Sequence, residues 1–229
     1  METKTKRVLA VCVLAFVTLL GVVSVNASTI AYTDPANQSA GFGFNGNLGL
    51  NFNVLSPITV TDLGVFNAAG DGVITGSISV AIYDTTSLAQ VTPVVTFQGT
   101  YTPGGLGFDV FQAIAPVTLG VGSYQVVAVG FSSTDFFGNL NYGSTGPLLN
   151  DGGGLLAFNG AGWDDNTTLD SPNTCGSCQG LPAQSVQFDA GTFQFTASNV
   201  APVPEPGSLG LLGTGVITAA TMLRRKFGC

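Results

Sequence analysis

Between residues 8 and 223 the sequence contains no Lys, Arg or His. Its six cations sit at the ends: Lys4, Lys6 and Arg7 at one, Arg224, Arg225 and Lys226 at the other. The 13 acids are Glu2, Glu205 and Asp residues that all fall between Asp34 and Asp189, and the net charge is -7. A fold built from this interior has no internal ion pair, so apolar packing and hydrogen bonds must hold it. The same feature removes whole classes of function. An all-anionic surface has no cations with which to displace the counterions of a phosphate backbone, which excludes nucleic acid as a partner. Ser-His-Asp, Cys-His and Lys-based catalysis all lack their base. Only a carboxylate pair remains, as in glycoside hydrolysis, and Asp164 and Asp165, neighbours in an extended segment, would point to opposite faces. The sequence therefore predicts a protein that is not an enzyme and assigns no catalytic residue.

The two ends read as export signals. "METKTKR" precedes a long uncharged run that closes on "VNA". A basic start, an apolar middle and small residues at Val25 and Ala27 predict a secretory signal peptide over residues 1–27, removed by signal peptidase; an uncleaved anchor is the alternative. At the other end, residues 207–223 are 17 positions without a charge. As a helix they would span about 26 Å, slightly under a bilayer core of about 30 Å. Basic clusters stay on the cytoplasmic side, so the predicted transmembrane helix leaves everything between residues 28 and 206 outside.

Val203, Pro204, Glu205 and Pro206, then a Gly/Leu-rich apolar segment, then Arg224, Arg225 and Lys226 resemble the PEP-CTERM sorting signal of bacterial surface proteins. The resemblance covers residues 202–227. It implies that an exosortase meets the Pro-Glu-Pro motif just outside the membrane, removes the helix and passes the protein from an inner-membrane intermediate to the cell surface or the medium. It implies exopolysaccharide as a further partner. The prolines suit that role, because they favour extended, presented backbone.

Residues 28–201 contain short apolar runs punctuated by Gly, Pro, Asn and Asp. Strands are predicted over 40–54, 58–66, 74–83, 93–101, 108–119, 123–132, 155–159 and 186–198. Ile78, Val80 and Ile82 share one face of "SISVAIYD", and Phe193, Phe195 and Ala197 one face of "GTFQFTAS", so those faces should line a core. About eight strands joined by hairpin-like turns such as "AAGDG" and "LGVGSY" predict an all-β fold, an antiparallel β-sandwich of jelly-roll type, with a barrel as the alternative. Residues 202–229 form the sorting tail.

Residues 134–182 are long, polar and turn-rich, the place where a sheet scaffold usually carries binding. Cys175 and Cys178 in "CGSC" lack the setting of a redox pair and the further ligands of a zinc site, and are expected to form a local disulfide. Calcium is the one ion this loop could hold, through Asp151, Asp164, Asp165, Asn166 and Asp170, although their spacing is not that of an EF-hand and solvated acids are the default. No other cofactor is expected. Trp163, Tyr142, Phe136 and Phe137 offer flat faces to a sugar, against a background in which most Phe of such a fold are core. The sequence thus points to a non-enzymatic exported protein with a structural or adhesive role in the envelope, extracellular matrix or biofilm. The alternative is a carbohydrate- or calcium-binding module with its site in residues 134–182.

Overall fold

The computed structural model describes residues 27–33, 41–103, 108–139, 148–172 and 188–198. The predicted signal segment up to residue 26, the sorting tail, Tyr142, Cys175 and Cys178 lie outside them. In chain order the strands are β1 (Thr29–Ile30), β2 (Tyr32–Thr33), β3 (Gly41–Phe42), β4 (Asn47–Val54), β5 (Ile58–Phe66), β6 (Val73–Asp84) and β7 (Val95–Thr100). They continue with β8 (Asp109–Leu119), β9 (Gly122–Val129), β10 (Phe137–Asn139), β11 (Leu148–Leu149), β12 (Leu156–Asp164), β13 (Phe188–Asp189) and β14 (Gly191–Ala197). No helix occurs among the described residues, hence none there long and apolar enough to cross a membrane.

The fold is all-β with antiparallel sheets. One sheet has the order β12-β4-β9-β6-β7, the other β1-β14-β5-β8, and two small sheets, β13-β10-β3 and β11-β2, flank them. Period-two alternation drives both large sheets. In β4, Leu48, Leu50, Phe52 and Val54 are buried while Asn51 and Asn53 are partly exposed. Ile78, Val80 and Ile82 of β6 and Val126 and Ala128 of β9 extend the same buried face. On the four-stranded sheet the buried set is Ile58, Val60, Leu63 and Val65 of β5 with Phe193 and Phe195 of β14. All these side chains belong to one core, and Phe52 of one sheet lies 4.8 Å from Phe193 of the other, ring to ring. Each such ring contributes about 1.5–3 kcal/mol by burial. Gly191 lets β14 come close: a Cβ there would meet Ala128 Cβ at 3.2 Å and Val80 Cγ1 at 3.3 Å.

The expected strands recur closely, β5 residue for residue, and the faces of Ile78, Val80 and Ile82 and of Phe193 and Phe195 point into the core as expected, with Ala197 only partly buried. The predicted strand 186–198 is two, β13 and β14, which pair in different sheets, and three further expectations need correction. The turns "AAGDG" and "LGVGSY" do not close hairpins. Each passes the chain between sheets, since β5 pairs with β8 and β14, whereas β6 and β9 pair with one another. The predicted strand 40–54 is two, β3 and β4. The break falls where Gly43 and Gly46 approach other backbone: a Cβ at Gly43 would lie 2.5 Å from the Ser132 carbonyl carbon, and one at Gly46 would collide with the Asp164 carbonyl oxygen. The strand predicted over 155–159 runs on to Asp164, paired with β4 on both sides of a bulge at Asn159.

Candidate functional site

Within residues 134–182 the segment after β12 folds back over the outer face of the five-stranded sheet. Leu169 packs on Ala81, Tyr83 and Val127, a small apolar cluster on that face. The Tyr83 hydroxyl donates to the Leu169 carbonyl at 3.0 Å, and Ser171 Oγ donates to Gln125 Oε1 at 2.8 Å. Burial, and secondarily Asp170, raises the Tyr83 phenol above its ordinary value, so it stays a neutral donor.

The main fastening is Asn47, fully buried at the start of β4. Its Nδ2 faces four oxygens: Asp164 Oδ1 at 3.0 Å, the Asn166 carbonyl at 3.2 Å, the Thr168 carbonyl at 2.9 Å and Asp170 Oδ1 at 2.8 Å. Asn47 Oδ1 accepts from the Asp170 N–H at 3.2 Å, which fixes which end of the amide faces the oxygens. Three of the expected calcium ligands, Asp164, Asn166 and Asp170, are thus brought together, around an amide. Asp165 is exposed beside them, and Asp151 stands at the opposite end of β12, where its Oδ1 accepts from the Gly153 N–H at 2.8 Å. Among the described residues no group of three or more His, Cys, Asp or Glu is placed to hold a metal ion.

The expected stacking residues are placed differently. Trp163 is half-buried against the core, edge-on to Phe44 with ring centres 5.8 Å apart. Phe137 is core, 5.9 Å from Phe188, while Phe136 is exposed. The most perturbed phenol, Tyr32, is raised by burial and then by Asp109 and Asp189; it belongs to the seam where Thr192 Oγ1 donates to its carbonyl at 2.8 Å.

The folded-back segment and the turn after β6 enclose a groove of about 260 Å³ on the outer face of β4, β9 and β12. No charged side chain lines it, although the chain around it is anionic. Its polar lining includes Asn51, Asn53, Thr85, Ser123, Gln125, Asn159 and Ser171. Gln125 Nε2 donates to Asn51 Oδ1 at 2.7 Å, while Asn53 Oδ1 accepts from Ser123 Oγ at 2.9 Å and Asn159 Nδ2 at 3.3 Å. Gln125 can lie flat because β4 and β12 carry Gly49 and Gly162 beneath it; a Cβ at Gly49 would come within 2.5 Å of Gln125 Cδ. These bonds leave the Asn51 and Asn53 amide protons and Asn159 Oδ1 without a partner among the described residues.

Leu88 forms an apolar rim, 43 % exposed and held at φ 59°. Left-handed backbone costs a side chain like this about 1–2 kcal/mol. The turn imposes it: the Leu88 N–H donates to the Asp84 carbonyl at 2.8 Å, and the Thr86 and Ser87 N–H groups both donate to Asp84 Oδ1 at 2.8 Å. The Ser87 and then the Thr86 N–H hold the Asp84 carboxyl below its usual range. Sequence reasoning missed this groove because most of its lining lies on strands. A usable signal was present: "GNLGLNFNV" places Asn47, Gly49, Asn51 and Asn53 at every second position, a polar face too uniform in amides to be ordinary solvent exposure.

Comparison with known families matches residues 202–226 to the PEP-CTERM protein-sorting motif. No curated protein matches the chain.

Proposed function

We propose that this chain is a non-enzymatic protein of the cell surface or extracellular matrix, exported as a jelly-roll-like β-sandwich and released from its membrane intermediate by an exosortase. The observation that carries the reading is the PEP-CTERM motif at residues 202–226, joined to a stretch from residue 8 to 223 without a single cation. The motif implies export and membrane-associated sorting before release. The cation distribution gives the sorting a physical basis: only Arg224, Arg225 and Lys226 resist passage of the tail to the outer side. The absence of any His or Lys base between residues 8 and 223 supports a structural or adhesive role over a catalytic one.

Intact-mass measurement of the protein recovered from cell surface and medium tests this directly. The expected mature chain begins at Ser28 and ends near Pro206. Replacing Arg224, Arg225 and Lys226 by Ser should lower the surface yield several-fold, because the helix is then retained less well before processing. Full-length chain dissolved in the cytosol, or undiminished processing of the triple Ser variant, would refute the reading.

A further inference from the structure

We propose that the amide-lined groove on the outer face of the five-stranded sheet binds a neutral saccharide. The proposal extends the surface-protein reading by giving that protein a ligand, and it relies on that reading only for where the ligand is met.

Three observations converge. The groove is concave and uncharged within an anionic domain, so it offers a cation no carboxylate ligand while its surroundings repel acidic polymers. Its polar groups are tied to one another through Gln125 and Asn53. They are therefore set in place before a ligand arrives, presenting amide donors from Asn51 and Asn53 opposite an acceptor on Asn159. A sugar hydroxyl both donates and accepts, which suits a surface with both functions and no charge. Leu88 adds an apolar edge against which the C–H face of a ring can lie, and it is the one non-glycine residue of the described chain with positive φ. Strain held beside a cavity is a feature that a purely structural turn would shed, since Gly at that position removes it.

A peptide fits less well. Extended peptides are usually captured by unpaired backbone at a sheet edge, whereas this groove opens on the face of the sheet, over β4 and β9, whose backbones are paired on both sides, with the edge strand β12 contributing side chains and glycine at one flank.

The test uses the processed protein purified from the producing cells, run through native gels containing dextran, galactomannan or a mixed-linkage β-glucan, with polygalacturonate as the acidic control. At least one neutral polymer should retard the protein and polygalacturonate should not. Leu88→Gly should weaken that retardation about tenfold while leaving the melting temperature equal or higher, and the exposed Asn159→Ala should weaken it with the fold unchanged. Migration unaffected by every neutral polymer overturns the proposal. So does retardation that both variants keep, which would place binding elsewhere, or retardation by a flexible peptide in place of a sugar. Intact mass of the same preparation reports on sorting separately, so failure of one reading leaves the other visible.

Discussion

Asn47 does in this chain what a lysine or arginine does in most. Two carboxylates, Asp164 and Asp170, and two carbonyls converge where the sequence has no cation to offer, and an amide with two protons serves all four. Its full burial makes the arrangement strict, because truncating it leaves a void where the amide was as well as four acceptors without their donor. Asn47→Ala should therefore destabilise the protein by about 2–3 kcal/mol, well above the near-zero effect of most surface changes. Asn47→Asp should be worse at neutral pH, where a third carboxylate joins the other two, and should recover part of the loss as the pH is lowered and the introduced carboxyl takes up a proton. Urea unfolding of the three proteins at pH 7 and pH 4.5 checks both. An Asn47→Asp variant as stable as the parent at pH 7 would show that the site welcomes negative charge, as a cation site does.

At the scale of elements, the turn between β6 and β7 is a small unit held by one carboxylate. The Ser87 and Thr86 N–H groups depress the Asp84 pKa, so its stabilising contribution is complete above the unfolded carboxylate value of about 4 and disappears as the pH falls through the lower folded value. Asp84→Asn keeps an acceptor oxygen and loses the titration. Between pH 6 and pH 2.5 the parent should lose slightly more stability than the variant, the difference staying small because solvent screens an exposed group; equal slopes would mean that the two N–H bonds do not discriminate the charged form. The contrast with β5 marks what a sequence reveals. "ITVTDLGVF" announces its strand because Ile58, Val60, Leu63 and Val65 are apolar at strand spacing, and even the slip from even to odd positions is written there as the bulge at Thr61. A bulge in β6 is stabilised from far away: register shifts between Ile74 and Ile78, and Asp135 accepts from the freed Thr75 and Gly76 N–H groups at 2.8 and 2.7 Å. Nothing near residue 75 names residue 135. The same holds at the groove, where the alternation in "GNLGLNFNV" carries an unused signal that Asn51 and Asn53 face outward, and nothing in it says that Gln125, Asn159 and Ser171 meet them. Expected binding residues chosen for chemistry alone divided by neighbourhood: Trp163 and Phe137 became packing, whereas Asp164, Asn166 and Asp170 did assemble because β12 ends beside the start of β4.

For the whole molecule the governing quantity is the charge. Residues 28–206 contain 12 acids and no Lys, Arg or His. In most proteins added salt weakens attractive surface pairs and repulsive ones together, and the two effects partly cancel. Here only repulsion exists to be screened. Raising NaCl from about 0.01 M to about 1 M contracts the screening length from about 30 Å to about 3 Å, which weakens self-repulsion in the compact state more than in the expanded chain, where the same charges already lie further apart. The melting temperature of the processed protein should accordingly climb steadily with NaCl over that range and equally with KCl, since the effect depends on ionic strength and not on the identity of the cation. Calcium chloride at matched ionic strength should fall on the same curve if Asn47 and Asn166 between them satisfy Asp164 and Asp170 without a cation. A rise confined to calcium, saturating at low concentration, would assign those carboxylates to an ion, and a melting temperature that falls with NaCl would mean that attractive charge pairs hold this fold after all.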